Sequence, residues 1–278
     1  MVMLRLPHRW HTLTAPSWST PPQLPALDAG HIHVWKGDVR ALARLGPSLQ
    51  LSLDPGELAH AARFQHEADR NRFLLSHGLL RLLAAHYLER PARALAFDKG
   101  EFGKPHVAGA DEGRLAFNLS HSGDLMLLTF ARTGRVGVDV ERWSASLRES
   151  ERARIVTSVF STGEQAALAQ LPAALRRAAF YAVWTRKEAY IKATGHGISR
   201  GLAHFEVSVH PDAASIRSDS RVEGGVAHWR CFDLALEPGY SAALATDIDA
   251  PYVVTMTIDA MLVSGTSPLL ADGAPSTL

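Results

Sequence analysis

Cysteine is nearly absent from this chain. Cys231 stands alone among 278 residues, which excludes a disulfide framework or a zinc site built on paired thiolates and fits a reducing compartment. A surplus of either charge is missing too: 29 Lys and Arg face 28 Asp and Glu, for a net charge of +1. Proteins that live on nucleic acid draw affinity from neutralised phosphates and show a clear basic excess. Nucleic acid is therefore not an expected partner, and any basic surface must be local. No run of apolar residues is long enough to span a bilayer, so no membrane association is expected. Arg5, Pro7, His8 and Arg9 interrupt the N-terminus before a secretory apolar core could form, and a cytoplasmic chain is expected. The 14 histidines are scattered, with no HExxH pair at metal spacing, and read as surface or half-buried residues.

What is present is a mixture of helical and strand patterns. Five prolines between Pro7 and Pro25 predict a flexible, extended arm over 1–30, and 261–278 reads as a flexible tail. His31–Lys36 alternates as a strand does. Asp54-Pro55-Gly56-Glu57 is a helix start with Asp54 as N-cap and Glu57 three residues on. The helical pattern then runs to about Leu88, with a break near His66. Strands are expected at Leu115–Leu119, Leu125–Phe130 and Arg135–Val140, in an antiparallel meander with a tight turn at Thr133-Gly134. Ser161-Thr162-Gly163-Glu164 opens another helix, and a further one runs from Pro172 to Gly195. Alternation returns at Phe205–Val209, Val226–Phe232 and Ser241–Thr246. Helices and antiparallel strands fall in two batches, so the class is α+β with two lobes, 31–134 and 135–260. The sequence text shows no internal repeat.

Three segments carry chemistry. In Val136-Gly137-Val138-Asp139-Val140-Glu141 the valines share one strand face, so Asp139 and Glu141 project together from the other. Carboxylates at that spacing suit a hard divalent cation, or are an ordinary solvated strand face. In the helical run Phe180–Lys192, residues Phe180, Val183, Trp184 and Ile191 form an apolar stripe, with Glu188 and Lys192 at its edge. Those two could be a simple i,i+4 pair worth about 0.2–0.5 kcal/mol. Burial beside Trp184 would instead demand a partner for Glu188, such as a metal held by Asp139 and Glu141. The segment Phe117–Asp124 reads as a hairpin loop with exposed N–H groups, either plain or an anion nest. In the meander, the first and third strands end at the same sheet edge, which makes His121 and Glu141 neighbours. Gly103-Lys104-Pro105 adds a lysine on a restricted loop. A Ser-His-Asp hydrolase is a poor fit, because the three residues are sequence neighbours and no GxSxG elbow occurs.

Taken in order, RFQHEADRNRFLL (63–75), GKP (103–105), FNLSHSGD (117–124), GVDVE (137–141) and WTRKEAYIKATGHGI (184–198) resemble the 4′-phosphopantetheinyl transferase superfamily, of the surfactin-synthetase-activating kind. The resemblance implies two similar α+β lobes related by a pseudo-twofold axis, each with a small antiparallel sheet packed on helices, and an active site in the cleft between them. It implies a monomer that moves 4′-phosphopantetheine from coenzyme A, its co-substrate, to a serine of an apo acyl or peptidyl carrier protein, with Mg²⁺ or Mn²⁺ on the diphosphate. Asp139, Glu141 and Glu188 would be the metal ligands. Glu188 would also serve as general base, and Lys192 would stabilise the diphosphate. Ser120, His121, Gly103, Lys104, Pro105 and Arg72 would contact coenzyme A, with Arg63 and Arg70 as alternatives to Arg72. The rival readings are a Mg²⁺-dependent phosphodiesterase or nuclease, disfavoured by the charge balance, and a non-catalytic binder of coenzyme A or a carrier protein.

Overall fold

A computed structural model describes residues 18–197, 201–222 and 225–264. Most of the expected arm (1–17), most of the expected tail (265–278) and Ile198, the last residue of the helical motif, lie outside the described residues. Strand β1 (His31–Asp38) is followed by the short helices α1 (Val39–Leu42) and α2 (Gly46–Gln50), then α3 (Pro55–Ala61) and α4 (Glu67–Leu88). Asp54 and Glu57 form a reciprocal capping box at the start of α3, as their spacing predicts. The hairpin β2 (Ala96–Lys99) and β3 (Pro105–Ala108) precedes β4 (Ala116–Ser122) and β5 (Leu125–Ala131).

The second half repeats this plan. Strand β6 (Val136–Arg142) leads into α5 (Glu149–Val159), α6 (Thr162–Gln170) and the long α7 (Ala173–Thr194). Ser161 and Glu164 form the second capping box, and Gly195 ends α7 in the left-handed region at φ 73°. Then come β7 (Phe205–Val207) and β8 (Ile216–Asp219), followed by β9 (Arg230–Asp233) and β10 (Tyr240–Thr246). Strand β11 (Tyr252–Thr257) and helix α8 (Ala260–Ser264) close the described chain.

The repeat invisible in the sequence text is plain in the topology. One sheet has the order β11-β1-β5-β4 and the other β6-β10-β9. In the first, β5 pairs antiparallel with β1 from Ile32↔Ala131 to Asp38↔Leu125; in the second, β10 pairs with β6 from Val136↔Thr246 to Arg142↔Tyr240. Both long helices have 22 residues. Each also carries buried cations tied to the preceding capping box or to loop carbonyls. Arg81 binds Asp54, Glu57 and the carbonyls of Ala92 and Leu95. Lys187 binds Glu164, and Arg186 binds Asp233. The α+β class with two similar halves is thus the observed architecture.

Packing is layered. Helix α4 covers one face of the first sheet through residues such as Leu79, Leu83 and Tyr87 against Trp35 of β1 and Phe130 of β5. Helix α7 covers the second sheet through Phe180, Val183, Tyr190 and Ile191 against Ala243 and Ala245. Between the sheets lies a third core, where Ile32, Val34 and Leu127 meet Val136, Val138, Val140 and Leu244. The β6 valines therefore face the inter-sheet core, and the alternate residues face α7.

Two expectations change. The meander stops after two strands, because β6 turns away and pairs with β10, more than 90 residues on. It still lies beside β4 and runs parallel to it. Residues 18–30 carry little regular structure but are anchored: Leu27 is buried, Trp18 Nε1 donates to Ala235 O at 2.5 Å, and Leu27 O accepts from Arg132 Nε at 3.1 Å. Leu262 and Val263, at the start of the expected tail, are buried in the same core as Leu27.

Candidate active site at the seam between the two sheets

The site forms where β4, β6 and α7 meet. A Cβ on Gly137 would lie 2.2 Å from the Ala189 carbonyl oxygen and 2.3 Å from Ala193 N. Only glycine admits so close an approach, and it brings α7 down onto the polar side of β6. Asp139, two residues on, is 3% exposed rather than on a solvated face. Its Oδ1 accepts from Lys192 Nζ at 2.6 Å and from Ser120 Oγ at 2.8 Å. Lys192 Nζ also donates to Ser120 Oγ at 2.9 Å and reaches Val138 O at 3.4 Å. Asp139 Oδ2 is buried with no hydrogen-bond partner. Glu141 is half-buried, and its Oε2 accepts from Ser122 Oγ at 2.8 Å.

Three carboxyl groups crowd together and their proton affinities rise. Burial lifts the Asp139 pKa against the pull of Lys192 and Ser120. Burial lifts Glu141 too, aided by Asp139 and opposed by Lys192 and by hydrogen bonds from Ser122 and Trp184. Glu188, on α7 one turn before Lys192, is pushed up to about 7. Its burial contributes most, then repulsion from Asp139 and Glu141, with Lys192 opposing. A multivalent cation would relieve exactly this combination of like charges, and Asp139 Oδ2 offers it an unclaimed hard oxygen donor. The donor set therefore fits Mg²⁺ or Mn²⁺. Among the described residues no three His, Cys, Asp or Glu side chains are already arranged to hold a metal ion. The fit rests on the chemistry of the donors and on that orphaned oxygen.

The phosphate-side residues are placed differently from the loop reading. Strand β4 continues through Ser122, so Ser120 and His121 are strand residues paired with Leu127 and Met126, not members of an exposed nest. Alternation sends Ser120 and Ser122 toward β6. His121 instead feels Arg72, Lys192 and His77, which, after the desolvation of its ring, lower its pKa. The carboxylates' hydrogen-bond partners are thus Ser120 and Ser122 rather than His121, although the strand ends are neighbours as expected. Arg72 NH1 contacts Asp69 at 3.0 Å, and its Nε is buried without a partner. Arg63 and Arg70 are exposed.

Gly103, Lys104 and Pro105 sit in the β2–β3 hairpin, with Gly103 at φ 82°. Lys104 Nζ donates to Val136 O and Ala193 O, each at 3.0 Å, and so ties the hairpin to the start of β6 and the end of α7. Burial, then Arg135, draws its pKa down to about 8. It does not join the Asp139–Lys192 cluster. A small apolar recess of Leu147, Ile155, Phe180, Tyr181 and Trp184 flanks Glu141. A larger cavity, about 750 Å³ between α6 and β8, is lined by residues such as Thr162, His204, Glu206, Arg217 and Asp219 and lies apart from the Asp139–Lys192 cluster.

Three contributors escaped the sequence reading. Ser122 follows from Ser120 by strand alternation once β4 is known to continue. Gly137 needed the position of α7. Lys187 is wholly buried, bonding Glu164 at 2.9 Å and the carbonyls of Leu202 and Phe205 at 2.8 and 2.6 Å. Its signal was a run of three charged residues, Arg186-Lys187-Glu188, inside an otherwise apolar stretch.

Comparisons with known proteins converge on one family. A family model described as the 4′-phosphopantetheinyl transferase superfamily matches residues 135–245, and one described as 4′-phosphopantetheinyl transferase, N-terminal, matches 48–132. The chain is 33% identical over 192 residues to the 4′-phosphopantetheinyl transferase HetI of Nostoc sp., covering 69% of this chain and 79% of that one. It is 28% identical over 207 residues to 4′-phosphopantetheinyl transferase Sfp of Bacillus subtilis, covering 73% and 87%. With 4′-phosphopantetheinyl transferase AcpT of Salmonella typhimurium the identity is 43% over 126 residues, 45% and 59% of the two chains.

Proposed function

The chain belongs to the 4′-phosphopantetheinyl transferase superfamily, and on that premise we propose that it moves phosphopantetheine from coenzyme A to a serine hydroxyl of an apo acyl or peptidyl carrier protein, with Mg²⁺ as the metal. The observation that carries the reading is the cluster of Asp139, Lys192 and Glu188: a buried carboxylate with one free oxygen, a cation 2.6 Å from its other oxygen, and a second carboxyl group one turn before that cation on α7.

In the transfer, the serine oxygen bonds to the phosphorus that carries pantetheine. The bond from that phosphorus to the adenosine-side phosphate oxygen breaks, and adenosine 3′,5′-bisphosphate leaves. A serine hydroxyl is a weak nucleophile at neutral pH, so a base with matched proton affinity helps. Glu188 takes that proton, directly or through a water. Lys192, anchored on Ser120 and Asp139, faces the negative charge that grows on the leaving phosphate. His121 of β4 and Arg72 of α4, whose charge His121 feels, would meet the remaining phosphates. Asp139, Glu141 and Glu188 would hold the metal, which when bound neutralises diphosphate charge. Charge placement does most of the work, and no covalent enzyme intermediate is needed.

The test is to incubate the protein with coenzyme A, Mg²⁺ and an apo carrier, then weigh the carrier. A gain of one phosphopantetheine is expected, abolished by EDTA and by Glu188→Gln. No mass change on several apo carriers of fatty-acid and peptide type would refute the reading.

A further inference from the structure

Strands β4 and β6 lie side by side but belong to different sheets. Side chains at alternate positions of β4 bridge them instead. Asn118 Oδ1, Ser120 Oγ and Ser122 Oγ accept from the N–H groups of Val138, Val140 and Arg142 at 2.9, 3.4 and 3.0 Å. The match of two residues to two residues keeps the row in register with β6. Each serine has one hydroxyl proton to give, and each gives it to a carboxylate: Ser120 to Asp139 Oδ1 and Ser122 to Glu141 Oε2, both at 2.8 Å.

The two serines differ in one respect. Ser120 also touches Lys192 and so belongs to the reacting cluster. Ser122 bonds Glu141 and the backbone of the residue beside it, and nothing of the proposed chemistry directly. We propose that Ser122 is a positioning residue: its hydroxyl holds Oε2 of Glu141 and, with the Trp184 side chain that also hydrogen-bonds this carboxylate, aims the group at a divalent cation. The inference rests on the transferase reading and deepens it at the metal site. A group that orients a metal-binding carboxylate through a hydrogen bond commonly controls about 10–100-fold of metal affinity. With its oxygen otherwise spent on the Arg142 amide, the Ser122 proton has a fixed direction, so the hydroxyl and not merely the volume is required.

The measurement is Mn²⁺ binding to the free full-length protein, followed by the EPR signal of unbound Mn²⁺. Ser122→Ala should weaken binding by about 10-fold or more, while Ser122→Thr, which keeps the hydroxyl, should bind like the parent. In a Glu141→Ala background, adding Ser122→Ala should change nothing further, because Ser122 acts through Glu141. Unchanged Mn²⁺ affinity in Ser122→Ala would overturn the proposal, as would an equal further loss in the Glu141→Ala background. If Ser122→Ala fails to fold, Ser122→Val against Ser122→Thr makes the same comparison at nearly constant volume. Failure of the parent to bind Mn²⁺ would remove this proposal and the metal site together. Normal carrier modification with an indifferent Ser122→Ala would remove this proposal alone.

Discussion

Gly137 and Ala189 are in such close contact that a single methyl group could not be placed between them: a Cβ at 137 would lie 2.2 Å from the Ala189 carbonyl oxygen. The neighbouring atoms are helix backbone, which cannot step aside as a flexible side chain would. This contact sets the distance from β6 to α7, and through it the reach of Lys192 to Asp139.

Gly137→Ala should therefore destabilise the fold by about 3 kcal/mol, the upper part of the range for overpacking, and abolish carrier modification. Urea unfolding and the mass assay check this. A variant with parental stability would show that α7 can shift without cost.

Lys192→Ala should slow transfer by about 100-fold, the scale for one charge aimed at a developing oxyanion. Its effect on coenzyme A binding should be much smaller, since Lys192 is matched to charge that appears as the bond breaks. Single-turnover rates and equilibrium binding separate the two. Equal losses would assign Lys192 to ground-state binding.

Breaking the buried Lys187–Glu164 pair from one side should be severe. Lys187→Met leaves the Glu164 carboxylate buried beside the Val207 amide without its cation, at a cost of about 3–5 kcal/mol. Adding Glu164→Gln should restore part of the loss. A double variant whose stability equals the sum of the single losses would mean the two side chains are energetically independent.

His33 should give the protein a pH-dependent stability. It is buried, and its Nδ1 shares a 2.8 Å hydrogen bond with Tyr87, whose hydroxyl oxygen also accepts from Trp35 Nε1 at 2.8 Å. The single Tyr87 proton then points to His33, which must accept it as a neutral imidazole. Burial, then His31, lowers the His33 pKa to about 4. Its folded pKa lies below the unfolded value of about 6.5, so below pH 6.5 the unfolded state takes up the proton first. The stability is complete above that pH, falls as pH drops toward 4 and is lost by no more than about 3 kcal/mol. Denaturant unfolding of the parent and of His33→Gln, compared from pH 4 to 7.5, isolates this contribution. Parallel pH curves for the two would rule it out.

Much of the fold was legible from local signals because those signals are local physics. The capping boxes at Asp54–Glu57 and Ser161–Glu164 satisfy amides within one turn, and Gly195 ends a helix through its own φ. The alternation of Val136, Val138 and Val140 places Asp139 and Glu141 on one side of a strand wherever that strand is put. The reading of β4 as ending at Leu119 failed because Ser120 and Ser122, like Asn118 before them, are short polar residues of the kind loops favour. They are polar because they bridge to β6, not because they face water.

The sequence alone determined the donor chemistry: carboxylates at 139, 141 and 188, a lysine at 192, and the strand and helix that carry them. Tertiary structure decided which of these meet. The pairing of β6 with β10 rather than β5 depends on a partner far along the chain, so no local pattern could encode it. The pKa of Glu188 near 7 likewise arises from burial and from carboxylates on another element, properties a residue acquires only when the chain has closed around it. The charge balance of +1 hides that sorting, since buried Asp139, Glu164, Arg186 and Lys187 cancel in the sum. They matter because each was taken from water and given a specific partner.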